Sequence, residues 1–266
     1  MDAIERFAEI VAEEDFPLAD AFLAFARAEY PEMDTDRYLE AIRELGTQVC
    51  ALAAGTQDPV EQLKAVRDVM TAAGIRGDRE EYYDPRNSFL NEVIDRGRGI
   101  PITLSTLWIE SARWAGIDLA GIGMPMHFLV GVSGEEAYAD PFDGGRVLDV
   151  DQAMLVFARR TAGRIEWHDS YLEPARPRDI VRRALVNLKS VFGAAGELSR
   201  ALWVEDFLLV LPDTPPDEHR ERAAVLAAMG RWPEAIADLR DYLDEAESPE
   251  VEEVEREIRR LQATMN

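Results

Sequence analysis

His127 in PMHFLV and Asp140 in YADPF are the residues of this chain whose types and spacing suit acid–base chemistry. A histidine held by a carboxylate can act as general base toward a nucleophile at a helix start. The free N–H groups and dipole of such a helix stabilise a thiolate or an oxyanion. The segment RGRGIPITLS, residues 96–105, supplies a helix start: Gly97 and Gly99 break one helix and Pro101 opens the next. Proline carries no nucleophile. Ser105 lies one turn deeper on the side of Pro101, roughly 6 Å along the axis, and Thr103 is turned about 200° away. Single residues also have plainer readings: His127 ahead of Phe128-Leu129-Val130 suits a buried core histidine, and Asp140 before Pro141 suits a turn former.

A second group is arginine-rich. Arg86, Arg96 and Arg98, with Asn87, flank the helix start and could bind a carboxylate or a peptide end. Cys50, the one cysteine, excludes an internal disulfide and reads as a small buried hydrophobe on a helix. His168 and His219 have no comparable setting. No cluster has metal-ligand spacing, and no phosphate-binding or dinucleotide fingerprint occurs, so neither a metal nor a cofactor is expected.

The elements that must position these residues follow from periodicity. Residues 1–74 read as helices, with Leu39, Ile42, Leu45, Val49 and Leu52 as one apolar stripe. Asp58-Pro59 caps a helix that ends at Gly74, and 75–86 is a polar loop. Asn87-Ser88 is expected to cap a short helix stopping at Gly97. The helix from Pro101 runs to Gly116. Four short β-prone segments follow, IDLAGIGMP, HFLVGV, EAYADPF and GGRVLDV, as in a small antiparallel sheet. Helix resumes at Asp151.

The last third repeats. Gly196, Ala201 and Pro215 recur as Gly230, Ala235 and Pro249, and Leu202 and Leu209 match Ile236 and Leu243. The period of 34 is that of tetratricopeptide (TPR) helix pairs. A final helix from Pro249 to about Leu261 would close the array.

The four motifs Arg86-Asn87-Ser88, Gly99-Ile100-Pro101, His127-Phe128-Leu129 and Asp140-Pro141-Phe142, in this order and followed by such a tail, resemble the SirB-type branch of the transglutaminase-like superfamily. The resemblance covers about residues 80–260. It implies an α+β protein: a papain/transglutaminase-like core with a small antiparallel sheet, N-terminal helices and a C-terminal TPR-like α-array. The expected regions are 1–75, helical; 76–175, the core; and 176–266, the repeats. In catalytically active relatives the helix starts Gly-x-Cys, so Pro101 falls on the cysteine, while His127 and Asp140 match the other two triad members. The resemblance therefore implies a non-catalytic, protein- or peptide-binding regulatory module. The alternative is an amide hydrolase or acyltransferase in which His127 and Asp140 activate water or Ser105.

Composition narrows the partners. There are 29 basic and 52 acidic residues, a net charge of −23, which repels nucleic acid and anionic membranes. No run approaches the ~20 apolar residues of a membrane span and no N-terminal signal peptide is evident, so the cytoplasm is the expected setting.

Overall fold

The computed structural model describes residues 2–246 and 250–265. Four helices come first: α1 (Ala3–Ala12), α2 (Leu18–Glu29), α3 (Thr35–Leu52) and α4 (Pro59–Ala72). After β1 (Arg76–Gly77) and a 3₁₀ turn (Pro85–Ser88) come α5 (Leu90–Arg96), β2 (Arg98–Gly99) and α6 (Pro101–Trp114). The sheet strands are β3 (Leu119–Ile122), β4 (Leu129–Val132), β5 (Tyr138–Asp140) and β6 (Arg146–Leu148). Helices α7 (Val150–Thr161), α8 (Pro177–Ala195), α9 (Leu198–Leu209), α10 (Asp217–Ala228), α11 (Trp232–Glu245) and α12 (Val251–Thr264) complete the chain.

Contacts group these elements into two compact units. One runs from Glu13 to Ala184; the other joins Met1–Ala12 to Leu185–Asn266. Helix α1 belongs with the repeats because its apolar face packs on α9, Phe7 against Phe207 with ring centroids 5.0 Å apart.

The larger unit is organised around α6. Every residue from Pro101 to Ala112 is buried, because helices α2, α3, α4 and α5 and strands β3 and β4 all pack on it. Such a helix has no solvated face, and its buried acid needs a partner. Glu110 has one: its carboxylate accepts from Leu18 N at 2.7 Å, at the start of α2. Burial nevertheless pushes that carboxyl above its ordinary range. On α3 the apolar stripe holds at Ile42, Leu45 and Val49, but Leu52 at its end is exposed. Cys50 is exposed as well, not buried, since it lies about 100° around the helix from Val49, off the buried stripe.

Strands β3-β4-β5-β6 form an antiparallel meander in sequence order. Ile122, Leu129, Tyr138 and Leu148 share one face and pack with Ala153 and Phe157 of α7. Alternate residues Val130 and Ala139, fully buried, lie on the opposite face. Two-residue strands β1 and β2 pair in parallel, Arg76 with Arg98 and Gly77 with Gly99, tying the polar loop to the approach of α6.

The smaller unit carries the repeat. Helices α9 and α11 begin at Leu198 and Trp232, and α10 and α12 at Asp217 and Val251, each pair 34 positions apart. The glycines explain the period physically. Gly196 and Gly230 adopt φ of +70° and +74°, and the residues after them, Glu197 and Arg231, donate back to Phe192 O and Leu226 O at 2.9 Å. This ends the preceding helix with a left-handed residue that favours glycine. Ala201 and Ala235, both buried, allow close helix approach. Pro249 lies outside the described residues.

Candidate functional site

His127 sits two residues before β4 rather than within a strand. The turn Pro125–Met126 precedes it, with Met126 in the left-handed region at φ +61°. Its backbone N–H bonds Met124 O at 3.2 Å. Asp140 ends β5, where the chain turns into the 3₁₀ segment Pro141–Asp143. Nε2 of His127 lies 2.7 Å from Oδ2 of Asp140, both side chains almost fully buried. The other carboxylate oxygen, Oδ1, accepts from the backbone N–H of Phe142 at 3.0 Å and of Asp143 at 3.1 Å. The aspartate is therefore both a turn cap and the partner of the imidazole. A carboxylate so held fixes the ring's orientation and leaves Nδ1 as the nitrogen able to exchange protons with a ligand.

Pro101 is the first residue of α6. Ile100 precedes it with extended backbone and offers no side-chain cap. Both hydroxyls nearby are fully buried, and neither Thr103 Oγ1 nor Ser105 Oγ has a hydrogen-bond partner. An activated hydroxyl nucleophile requires a bonded base, and Ser105 has none.

The arginine group is satisfied within its own loop. Arg86 is bound by Asp84, with Nε 2.9 Å from Oδ2. Arg96 donates to Asn87 Oδ1 at 3.2 Å and lies 3.5 Å from Asp84 and 3.7 Å from Asp78. Arg98 lies 3.6 Å from Glu80 and 3.9 Å from Asp78. Asn87 does not cap α5, whose N-cap is Phe89; its amide donates to Glu81 O at 2.7 Å instead. Asp78 accepts from the N–H groups of Glu80 and Glu81, and those bonds hold its carboxyl below the usual range. A cavity of about 350 Å³ lies against this loop, lined by Arg76, Arg79, Arg98 and Phe142 among others.

Phe142 links the loop to the histidine. Its ring is edge-on to His127 at 6.4 Å and to Tyr82 at 5.7 Å, and the guanidinium carbon of Arg160 is 5.5 Å from its centroid. Arg183 of α8 donates through Nη2 to Met124 O at 2.7 Å and to His127 O at 2.8 Å. Sequence reasoning missed Tyr82, Arg160 and Arg183. Phe142 stood within a quoted motif, but nothing in linear spacing places α7 and α8 beside it.

Sequence spacing also missed two clusters in the smaller unit, because their members lie on different helices. The ligand atoms of His219, Asp238 and Asp241 come within 4.8 Å of one another, as do those of Glu205, Glu218 and Glu221. A cationic side chain already occupies each: Arg222 bonds Asp238 at 2.6 and 2.8 Å, and Lys189 Nζ lies 2.7 Å from both Glu218 and Glu221.

An antiparallel sheet beside a buried helix, with a histidine–aspartate pair at its edge, and a helical repeat following in the chain define a transglutaminase-like protein with a TPR tail. Family comparison agrees. Residues 36–186 match the transglutaminase-like superfamily, and residues 188–263 match a tetratricopeptide repeat family. The chain belongs to the transglutaminase-like superfamily, and the matched region takes in α3 and α4. It is similar to a UPF0162 protein of Xylella fastidiosa (strain Temecula1), 35% identical over 88% of this chain and 85% of that one. A UPF0162 protein of Vibrio cholerae is 28% identical over 88% of this chain and 89% of its own length. F-box only protein 21 of Pongo abelii is 22% identical over 85% of this chain but 39% of that larger protein. Among the described residues no helix is long and apolar enough to cross a membrane.

Proposed function

We propose that this chain is a non-catalytic, SirB-type transglutaminase-like protein that binds protein or peptide segments in a regulatory role in the cytoplasm. On this reading residues 76–175 supply a cleft and the repeats of 176–266 a second binding face, with 1–75 as support. The observation that carries it is the mismatch at the helix start. His127 and Asp140 remain bonded at 2.7 Å, while position 101 holds a proline and the buried Ser105 hydroxyl bonds nothing. TPR repeats commonly mediate protein interactions, which supports the same conclusion. The retained pair also supports the second reading, an amide hydrolase or acyltransferase in which His127 activates water.

The two are separated by one pair of measurements. Full-length chain is immobilised and challenged with a random peptide library, and is also incubated with a glutamine-containing peptide while released ammonia is followed. We expect retained peptides and no ammonia above the buffer rate. Ammonia release that His127→Ala abolishes would overturn the non-catalytic reading, and retention of no peptide would overturn the binding reading.

A further inference from the structure

Two half-buried arginines next to the histidine have no counter-ion among the described residues. Arg183 places Nη2 against two carbonyl oxygens, those of Met124 and His127, and no carboxylate of the described residues pairs with it. Carbonyl dipoles satisfy N–H groups but do not neutralise a charge. Burial accordingly pushes the Arg183 guanidinium below its ordinary range. Arg160 stands over Phe142 and likewise pairs with no carboxylate of the described residues. The contrast with its neighbours is direct: Arg79 pairs with Asp143, Arg86 with Asp84, and Arg96 and Arg98 with Asp78. In a chain with 52 acids and 29 bases, a counter-ion for these two was readily available.

Tyr82 belongs to the same group. Its ring packs edge-on against Phe142, and its hydroxyl feels both positive charges, which pull its pKa down against the stronger effect of burial. Phe142 and the Met124–His127 turn thus gather two guanidinium groups and a phenol around the rim of the His127–Asp140 pair. An unpaired, partly desolvated cation is costly unless an anion completes it. Planar guanidinium groups match a carboxylate in bidentate fashion. A net charge of −23 opposes a dianion more than a monoanion, which favours a carboxylate over a phosphate.

We infer that Arg160, Arg183 and Tyr82 form a carboxylate-binding subsite beside His127, taking an acidic side chain or the C-terminal carboxylate of a bound peptide. The inference rests on the peptide-binding reading above and names what that peptide must carry.

The test is side-chain NMR of the full-length chain labelled with ¹⁵N-arginine, following the Nε–Hε signals of Arg160 and Arg183. N-acetyl-glycine, N-acetyl-glycinamide and inorganic phosphate are titrated in separately. N-acetyl-glycine should shift both signals saturably, with a Kd on the order of millimolar for so small a ligand, and the uncharged N-acetyl-glycinamide should not. Arg160→Gln should weaken the binding about tenfold or more. Arg183→Gln also removes bonds to two carbonyls, so Arg160→Gln and Tyr82→Phe keep the test open if that variant fails to fold. Equal shifts with the amide analogue, tighter binding of phosphate, or indifference to Arg160→Gln would each overturn the subsite. If library peptides are retained but no carboxylate shifts these signals, the subsite falls and peptide binding stands. If carboxylate binds and no peptide is retained, only the wider reading falls.

Discussion

Glu205 of α9 is nearly fully buried, with Lys189 Nζ 3.4 Å from one of its carboxylate oxygens. The same ammonium lies 2.7 Å from Glu218 and 2.7 Å from Glu221, so one cation serves three acids. Burial pushes the Glu205 carboxyl from 4.5 up to about 8, and the two neighbouring acids add to the rise against the pull of Lys189. Because the folded value exceeds the unfolded one, the folded chain keeps a proton that the unfolded chain has released between these limits. This group's contribution is favourable below pH ~4.5 and is lost progressively as pH rises toward about 8. Each pH unit is worth about 1.4 kcal/mol at most, so between pH 5 and 7 the loss is on the order of 2 kcal/mol. Glutamine has nearly the same shape, cannot titrate, and still accepts from Lys189 through its amide oxygen. We predict that Glu205→Gln matches the natural chain at pH 5 and exceeds it by about 2 kcal/mol at pH 7. Urea unfolding at pH 5, 6, 7 and 8, followed by Trp203 and Trp232 fluorescence, measures this. Parallel pH profiles for the two proteins would refute the reasoning.

Two further substitutions probe the site's framework. Asp140→Ala removes the acceptor for the N–H groups of Phe142 and Asp143 as well as for His127, and should cost about 3 kcal/mol; Asp140→Asn, which keeps one acceptor for the turn, should cost about half as much in the same unfolding assay. Equal costs would show that the turn bonds contribute little. Gly77→Ala places a Cβ 2.4 Å from the Phe142 carbonyl oxygen and 2.6 Å from its ring, so β1 or the Phe142 turn must move. Its expected cost is about 2 kcal/mol by thermal or urea unfolding, and a change under ~0.5 kcal/mol would contradict the tight approach.

Local signals in the sequence were strong where backbone chemistry alone decides the structure. Asp58 caps α4 through bonds to Val60 N and Glu61 N, and Gly97 ends α5 at φ +69°, because cap and left-handed positions depend on few neighbours. The four β segments were legible from glycine and proline punctuation, and the 34-residue period from two left-handed glycines. Asn87 misled because its amide bonds a loop carbonyl six residues back, a choice made by tertiary packing. Arg86, Arg96 and Arg98 look available for a ligand in the sequence because linear order does not show which acids of the polar loop, Asp78, Glu80 and Asp84, fold back onto them. Arg160 and Arg183 were invisible for the opposite reason. Each lies on an ordinary amphipathic helix, and only the meeting of α7, α8 and Phe142 gives them a shared position beside His127.

The most direct test of the central proposal, that this is a transglutaminase-like site complete except for its nucleophile, is the thiol pKa of Pro101→Cys in a Cys50→Ser background. Proline at the first helical position donates no hydrogen bond, so cysteine there should fold. The exposed Cys50 is removed so that a single thiol is read. The helix N-terminus and the imidazole held by Asp140 both stabilise a thiolate, and the pH dependence of iodoacetamide alkylation should give a pKa below about 7.5, against the usual ~8.5. Adding His127→Ala should move it back up. A thiol that titrates near 8.5 whether or not His127 is present would contradict the claim.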